Sequence, residues 1–185
     1  TVWLPLLEYL RESGRSLAPL NRTIIGGSAC PLSMIEEFRD KHQVTVLHGW
    51  GMTEMSPLGV VNRPNINSER LQGVELREQL AKQGRPLPGV DIKIVDEQDQ
   101  ELPWDGDKFG SLKVRGPWVC CDYYKLDKPS EAHAEDGWFE TGDVATIDAE
   151  GYVKITDRTK DVIKSGGEWI SSIDLENVAI ADEQV

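Results

Sequence analysis

The 185-residue sequence predicts an α/β unit with parallel strands followed by a small distorted antiparallel β-barrel. Two observations carry that expectation. Up to Gly84, short apolar runs alternate with stretches whose apolar residues recur at three- and four-residue spacing, the pattern of strands joined by helices. After the breaker segment Gly84-Arg85-Pro86-Leu87-Pro88-Gly89 the apolar spacing shifts toward two, and turn residues divide the chain into short segments.

Leu4, Leu6, Leu7 and Leu10 ahead of Gly14 predict an opening helix, with Pro5 limiting its start. The stretch from Leu20 to Ile25 reads as a strand, Gly26-Gly27-Ser28-Ala29-Cys30 as a tight loop of small residues, and Pro31 as the first position of a helix. On that helix Leu32, Ile35 and Phe38 share a face, and Val44-Thr45-Val46-Leu47 follows as a second strand. Strand, helix and strand make a right-handed parallel unit, and open sheets of this kind bind ligands in the crevice beyond the carboxyl ends of their strands. Gly26 and Gly27 have a second reading as plain turn formers.

Leu71, Val74, Leu76 and Leu80 predict another helix, ending near Gly84. Beyond the break, Val90, Ile92 and Ile94 alternate with polar residues. Leu112 and Val114, Val144 and Ile147, and Val153 and Ile155 sit in similar short strands, with Asp148-Ala149-Glu150-Gly151 as a hairpin loop.

Composition narrows the function classes. A net charge of −12 argues against binding nucleic-acid phosphates as the main role. No apolar run reaches membrane-spanning length and no cationic-then-apolar leader opens the chain, so a soluble, cytoplasmic protein without an integral membrane segment is expected. The three cysteines, an odd count without zinc-ligand spacing, read as reduced thiols. The adjacent Cys120 and Cys121 have two readings, strand packing and a redox pair.

Two segments carry the chemistry. In Leu47-His48-Gly49-Trp50-Gly51-Met52-Thr53-Glu54, glycines flank an aromatic at a strand end, which lets backbone approach a ligand and leaves Trp50 either to stack on a flat base or to pack in the core. Thr53 and Glu54 add a hydroxyl and a carboxylate, hard oxygens suited to phosphate and Mg²⁺. In Trp138-Phe139-Glu140-Thr141-Gly142-Asp143, the Asp143 carboxylate offers two acceptor oxygens to adjacent ribose hydroxyls, and Arg158 supplies planar donors across a short hairpin. The second reading makes Thr-Gly-Asp a turn and Arg158 a surface charge.

Together with Asp157-Arg158-Thr159-Lys160-Asp161, the run from Lys164 to Ser171, and Gly110-Ser111-Leu112-Lys113-Val114-Arg115-Gly116, these motifs resemble the adenylate-forming (AMP-binding) enzyme superfamily. The closest likeness is to medium- and long-chain fatty acyl-CoA synthetases. Ser111 replaces the Glu of the family's Gly-Glu-Leu-x-Val-Arg-Gly strand. The resemblance implies an internal fragment of a luciferase/acyl-CoA synthetase-like N-terminal domain. Residues 1–84 would form the C-terminal part of the α/β nucleotide-binding subdomain, 85–157 the antiparallel β-barrel subdomain, and 158–185 the hinge and the truncated start of a mobile C-terminal domain.

It also implies an ATP-dependent fatty acid–CoA ligase that forms acyl-AMP and then acyl-CoA, using ATP/AMP, Mg²⁺ and coenzyme A as substrate. By this likeness Ser28, Ala29 and Cys30 are candidate base or acyl contacts, Trp50 lies beside adenine, and Gly51 and Met52 are further cofactor-binding candidates. Thr53 contacts the α-phosphate and Glu54 holds the metal, these two being the catalytic candidates. Asp143, Ile155 and Arg158 complete the nucleotide pocket, and Lys160 is the hinge. Gly166 and Gly167 face the pantetheine arm, and Trp169 belongs to the Gly-Glu-Trp-Ile-Ser pattern of fatty acyl ligases.

The family's triphosphate loop and C-terminal lysine have no counterpart here, so the fragment alone is expected to be inactive. An aryl or short-chain acid–CoA ligase and a carrier-loading adenylation domain are alternatives within the family. A noncatalytic nucleotide- or partner-binding module is the alternative outside it.

Overall fold

The computed structural model of the chain describes residues 2–28, 30–127, 130–133, 136–161, 163–165, 168–170 and 172. Helix α1 (Trp3–Ser13) accepts Pro5 in its first turn, where a backbone amide has no intrahelical partner to lose. It stops at Gly14, whose amide returns to the Leu10 carbonyl at 3.0 Å. Strand β1 (Arg22–Ile25) pairs in parallel with β2 (Thr45–Gly51), and α2 (Leu32–His42) connects them. Pro31 stands just ahead of α2 as its N-cap, one place earlier than the sequence suggests. Leu7, Leu10, Ile35, Phe38, Val44 and Val46 bury their side chains together and pack α1 and α2 against the parallel pair.

The parallel character ends there. Strand β3 (Leu58–Val61) turns back antiparallel to β2, and β4 (Arg85–Pro86) pairs antiparallel with β3, giving the order β1-β2-β3-β4. The segment expected only to break regular structure thus contributes a two-residue strand. Pro86 fits because β4 is the sheet's edge, where a ladder donor is dispensable. Helix α3 (Gly73–Ala81) is present, but its apolar stripe is only partly covered: Leu80 packs against the first core, Val74 is 70% exposed, Leu71 lies ahead of the helix, and the buried residue is Gln79. Orphan carbonyls at a helix end need donors. The Asn62 side-chain amide supplies them here, donating to the Gln79 and Lys82 carbonyls at 2.7 and 2.8 Å.

The second sheet joins β5 (Asp91–Val95), β6 (Gly110–Arg115), β7 (Phe139–Ile147) and β8 (Val153–Arg158), all antiparallel and in chain order. The expected alternation holds in β5 and β6, where Ile92, Ile94, Leu112 and Val114 are buried, but not throughout β7 and β8: residues 143–147 are buried in succession, and Ile155 is only half-buried beside buried Val153. Among the described residues the sheet is open and not a closed barrel, since closure would require β5 and β8 to pair with each other. The β8 edge instead meets the first sheet through an antiparallel bridge between Val153 and Gly84. Met55 and Val60, beside and within β3, lie in one core with β5–β8, so the two sheets are packed together. A short hairpin of β9 (Ile163–Ser165) and β10 (Glu168–Ile170) follows. No described helix is long and apolar enough to cross a membrane.

Candidate active site

The loop after β1 and the end of β2 lie side by side, because Ile25 and His48 are register partners in the parallel pair. Their approach is close enough that a Cβ on Gly26 would stand 2.8 Å from the Gly49 carbonyl oxygen, which accounts for glycine there. A cleft of about 160 Å³ opens beside this junction. Gly27, Ser28 and the strand from His48 to Gly51 form one wall, and Gln83, Asp143, Ile155 and Arg158 form the other. It lies where the first sheet meets the second, beyond the carboxyl ends of the parallel strands, as open α/β sheets favour.

Asp143 is the polar centre of the cleft. Thr141-Gly142-Asp143 is no turn but the middle of β7, and Asp143 sits opposite Arg158 across the β7–β8 ladder. Arg158 Nε lies 2.9 Å from Asp143 Oδ1, and the Trp50 indole Nε1 donates to Oδ2 at 2.7 Å. Thr141 fixes the local backbone: its hydroxyl donates to the Leu112 carbonyl at 2.7 Å and accepts the Asp143 amide at 3.1 Å. With Asp143 only 3% exposed, burial raises its pKa above the usual aspartate value, while the Trp50 bond and the Arg158 charge pull the other way. A carboxylate has about four lone-pair sites, so two donors leave it able to accept two more. Vicinal hydroxyls are such a pair.

Beyond β2 the chain makes a single 3₁₀ turn, Thr53–Met55, which exposes Thr53 and half-buries Glu54. Among the described residues no three His, Cys, Asp or Glu side chains converge into a metal cage. One carboxylate is still the donor set that suits Mg²⁺, an ion usually held by one or two carboxylates together with substrate phosphates and water.

Residues 1–124 match the family described as AMP-binding enzyme. The chain belongs to the AMP-binding enzyme family. Similar proteins include 3-methylmercaptopropionyl-CoA ligase of Ruegeria pomeroyi, 53% identical over 98% of this chain and 33% of that protein. The medium-chain-fatty-acid–CoA ligase of Ectopseudomonas oleovorans is 48% identical over 100% of this chain and 33% of that protein. The chain thus spans about a third of the length of the curated relatives it matches. Among solved structures, o-succinylbenzoate CoA synthetase of Bacillus subtilis in complex with its acyl-adenylate intermediate superposes with a TM-score of 0.78 at 30% identity, covering 98% of this chain and 35% of that one.

In this member of the AMP-binding enzyme family the other sequence candidates fall in different places. Ile155 joins the cleft wall, and its amide donates to Gln83 Oε1 at 2.6 Å. Met52 packs against the core shared by the two sheets. Cys30 is not among the cleft's lining: it is buried against α2, its Sγ 3.9 Å from Met34 Sδ, and burial pushes its thiol pKa up to about 11. Lys160 is exposed in the turn after β8, where the Asp161 amide donates to the Arg158 carbonyl at 2.9 Å. Ala29, Gly166 and Gly167 lie outside the described residues, as does the side chain of Trp169, whose backbone belongs to β10.

Two cleft residues escaped the sequence reading. His48 is 3% exposed, and desolvation lowers its pKa to about 4, which keeps the ring neutral at pH 7. Its alternation with buried Val46 along β2 is the signal that places it on an inner face. Gln83 follows α3 with no local pattern to mark it. Its role arises only because β8 lies alongside.

Proposed function

We propose that the complete protein is an ATP-dependent ligase that joins an aliphatic carboxylic acid to coenzyme A through an acyl-adenylate. The carrying observation is the Asp143 carboxylate, held between Trp50 and Arg158 with acceptor capacity to spare in the wall of a cleft. In this reading an oxygen of the acid attacks the α-phosphorus of ATP and the bond to pyrophosphate breaks. The CoA sulfur then attacks the acyl carbon and AMP departs with the electron pair of the C–O bond. Asp143 accepts the ribose hydroxyls, Arg158 and Trp50 keep it oriented, and the Thr53 hydroxyl donates to the α-phosphate. Glu54 would hold Mg²⁺, which supplies charge neutralisation at the phosphates. Positioning and electrostatics thus do most of the catalytic work.

The substrate class is supported by the relatives. Aliphatic acid ligases match at 53%, 48% and 44% identity, whereas trans-cinnamate:CoA ligase of Petunia hybrida matches at 33%. A medium- or long-chain fatty acid is the first reading. A short thioether acid is the second, favoured by the 53% match. The division at residues 84 and 157, a pantetheine path along Gly166 and Gly167, and a cytoplasmic location belong to the same proposal.

The test is ATP–pyrophosphate exchange by the complete protein with octanoate, palmitate and 3-methylmercaptopropionate, followed by thioester formation on adding CoA. Exchange dependent on one of these acids is expected, with the 185-residue segment alone at background. Absence of exchange with every acid tried, alongside tight AMP binding, would favour the noncatalytic binding module instead.

Lys160, exposed just past β8, is proposed as the hinge about which the C-terminal domain turns between half-reactions. Lys160→Pro fixes φ near −65° and so penalises whichever conformation departs from it. Thioester formation from preformed acyl-adenylate is expected to fall far more than pyrophosphate exchange. Equal losses in single-turnover assays of the two steps, or none, would place the hinge elsewhere.

A further inference from the structure

The loop that leaves β6 passes over the turn holding Glu54 and is bonded to it twice. The Cys120 amide donates to the Glu54 carbonyl at 2.7 Å, and the Tyr123 hydroxyl donates to Glu54 Oε1 at 2.9 Å. The Tyr123 ring is itself braced. It meets the His133 ring edge-on at a centroid distance of 5.7 Å, and His133 lies 4.8 Å from the ring of Phe139, the buried first residue of β7. His133 Nε2 is also 3.0 Å from the Cys120 carbonyl oxygen, which ties both ends of the loop together. The strand that carries Asp143 at its middle therefore reaches Glu54 through Phe139, His133 and Tyr123, while Asp143 itself reaches Trp50. Both ties grip the segment from Trp50 to Glu54.

A glutamate on a solvent-facing turn samples several rotamers, and ordering it for a ligand carries an entropic cost. A bond to one carboxylate oxygen removes that freedom and leaves the other oxygen available. We propose that Tyr123 is a positioning residue for Glu54, its hydroxyl holding Oε1 so that Oε2 is presented to the metal–phosphate group of the nucleotide. This inference rests on the ligase reading above. Tyr123 is 41% exposed, so its ring is not a core filler. Its hydroxyl pKa is pushed up to about 12, chiefly by the bond to Glu54.

The experiment uses the complete protein as wild type, Tyr123→Phe, Glu54→Gln and the double variant. Tyr123→Phe keeps the ring against His133 and removes only the oxygen. Binding of Mn²⁺ with α,β-methylene-ATP, followed by electron paramagnetic resonance, is expected to weaken by about threefold to tenfold in Tyr123→Phe, on the scale of a single hydrogen bond. The half-maximal Mg²⁺ concentration for pyrophosphate exchange should rise in step, with the KM for the acid unchanged. In the Glu54→Gln background, Tyr123→Phe should add little.

Wild-type metal affinity in Tyr123→Phe, with affinity lost in Glu54→Gln, overturns the positioning role and leaves the ligase reading intact. Wild-type metal affinity in Glu54→Gln removes Glu54 from the metal and overturns the positioning role with it, whereas the ligase reading fails only if pyrophosphate exchange is absent with every acid.

Discussion

Asp143→Ala in the complete protein is expected to weaken AMP binding by roughly tenfold to a hundredfold or more, since each charge-assisted hydrogen bond to a ribose hydroxyl is worth about 1.5–3 kcal/mol. The loss has two sources. On the proposed role the acceptor for the ribose hydroxyls disappears, and the Trp50 indole N–H loses the partner it now holds at 2.7 Å. Asp143→Asn separates them, because an amide keeps an acceptor oxygen of similar shape without the charge. It should fall between wild type and alanine. Burial lifts the Asp143 pKa above the ordinary aspartate value, so AMP affinity should begin to fall at a higher pH than for an exposed aspartate, as the carboxylate takes up a proton and loses acceptor sites. Calorimetric titration of the folded variants with AMP measures all three effects. Unchanged affinity in Asp143→Ala would remove this residue from the site.

Gly84→Ala is expected to cost about 3 kcal/mol or more, at the severe end of single substitutions, because a clash with backbone cannot be relieved by a rotamer change. Gly84 has φ of +113°, and a Cβ there would stand 1.9 Å from the Val61 carbonyl carbon and 2.0 Å from the Asn62 amide nitrogen. The same residue is the bridge between the sheets: its carbonyl accepts the Val153 amide at 2.8 Å, and the Gln83 amide donates to the Val153 carbonyl at 2.9 Å. Displacing it would part β8 from the first sheet and carry Gln83 away from Ile155. A lowered thermal midpoint together with weakened AMP binding is therefore expected. A Gly84→Ala protein as stable as wild type would mean that the strands can separate here without loss.

How far each feature was legible depends on the range of the interaction that makes it. Helix α2 and strands β2 and β5 were readable because a 3.6- or 2-residue burial period is imprinted on consecutive residues. The 148–151 hairpin was readable for the same local reason, its turn residues standing between two apolar pairs. The stripe expected on α3 was only partly right because Leu71 falls ahead of the helix and Val74 faces outward, while Leu80 alone is packed against the first core. Arg85–Pro86 was hidden because an edge strand of two residues has no period, and a proline in it reads as a break.

The sequence by itself determined the alternation of strands and helices, the turn chemistry, and the residue types from Trp50 to Glu54 and at Asp143 and Arg158 whose resemblance points to AMP-binding enzymes. Only the tertiary structure decided which of them act on one another. Trp50 and Asp143 are 93 residues apart, Gln83 and Ile155 are 72, and Glu54 and Tyr123 are 69. Pattern along a chain reports which face of each element seeks burial. The partner found there is chosen by the packing of two sheets through a shared core, and no local period records that choice.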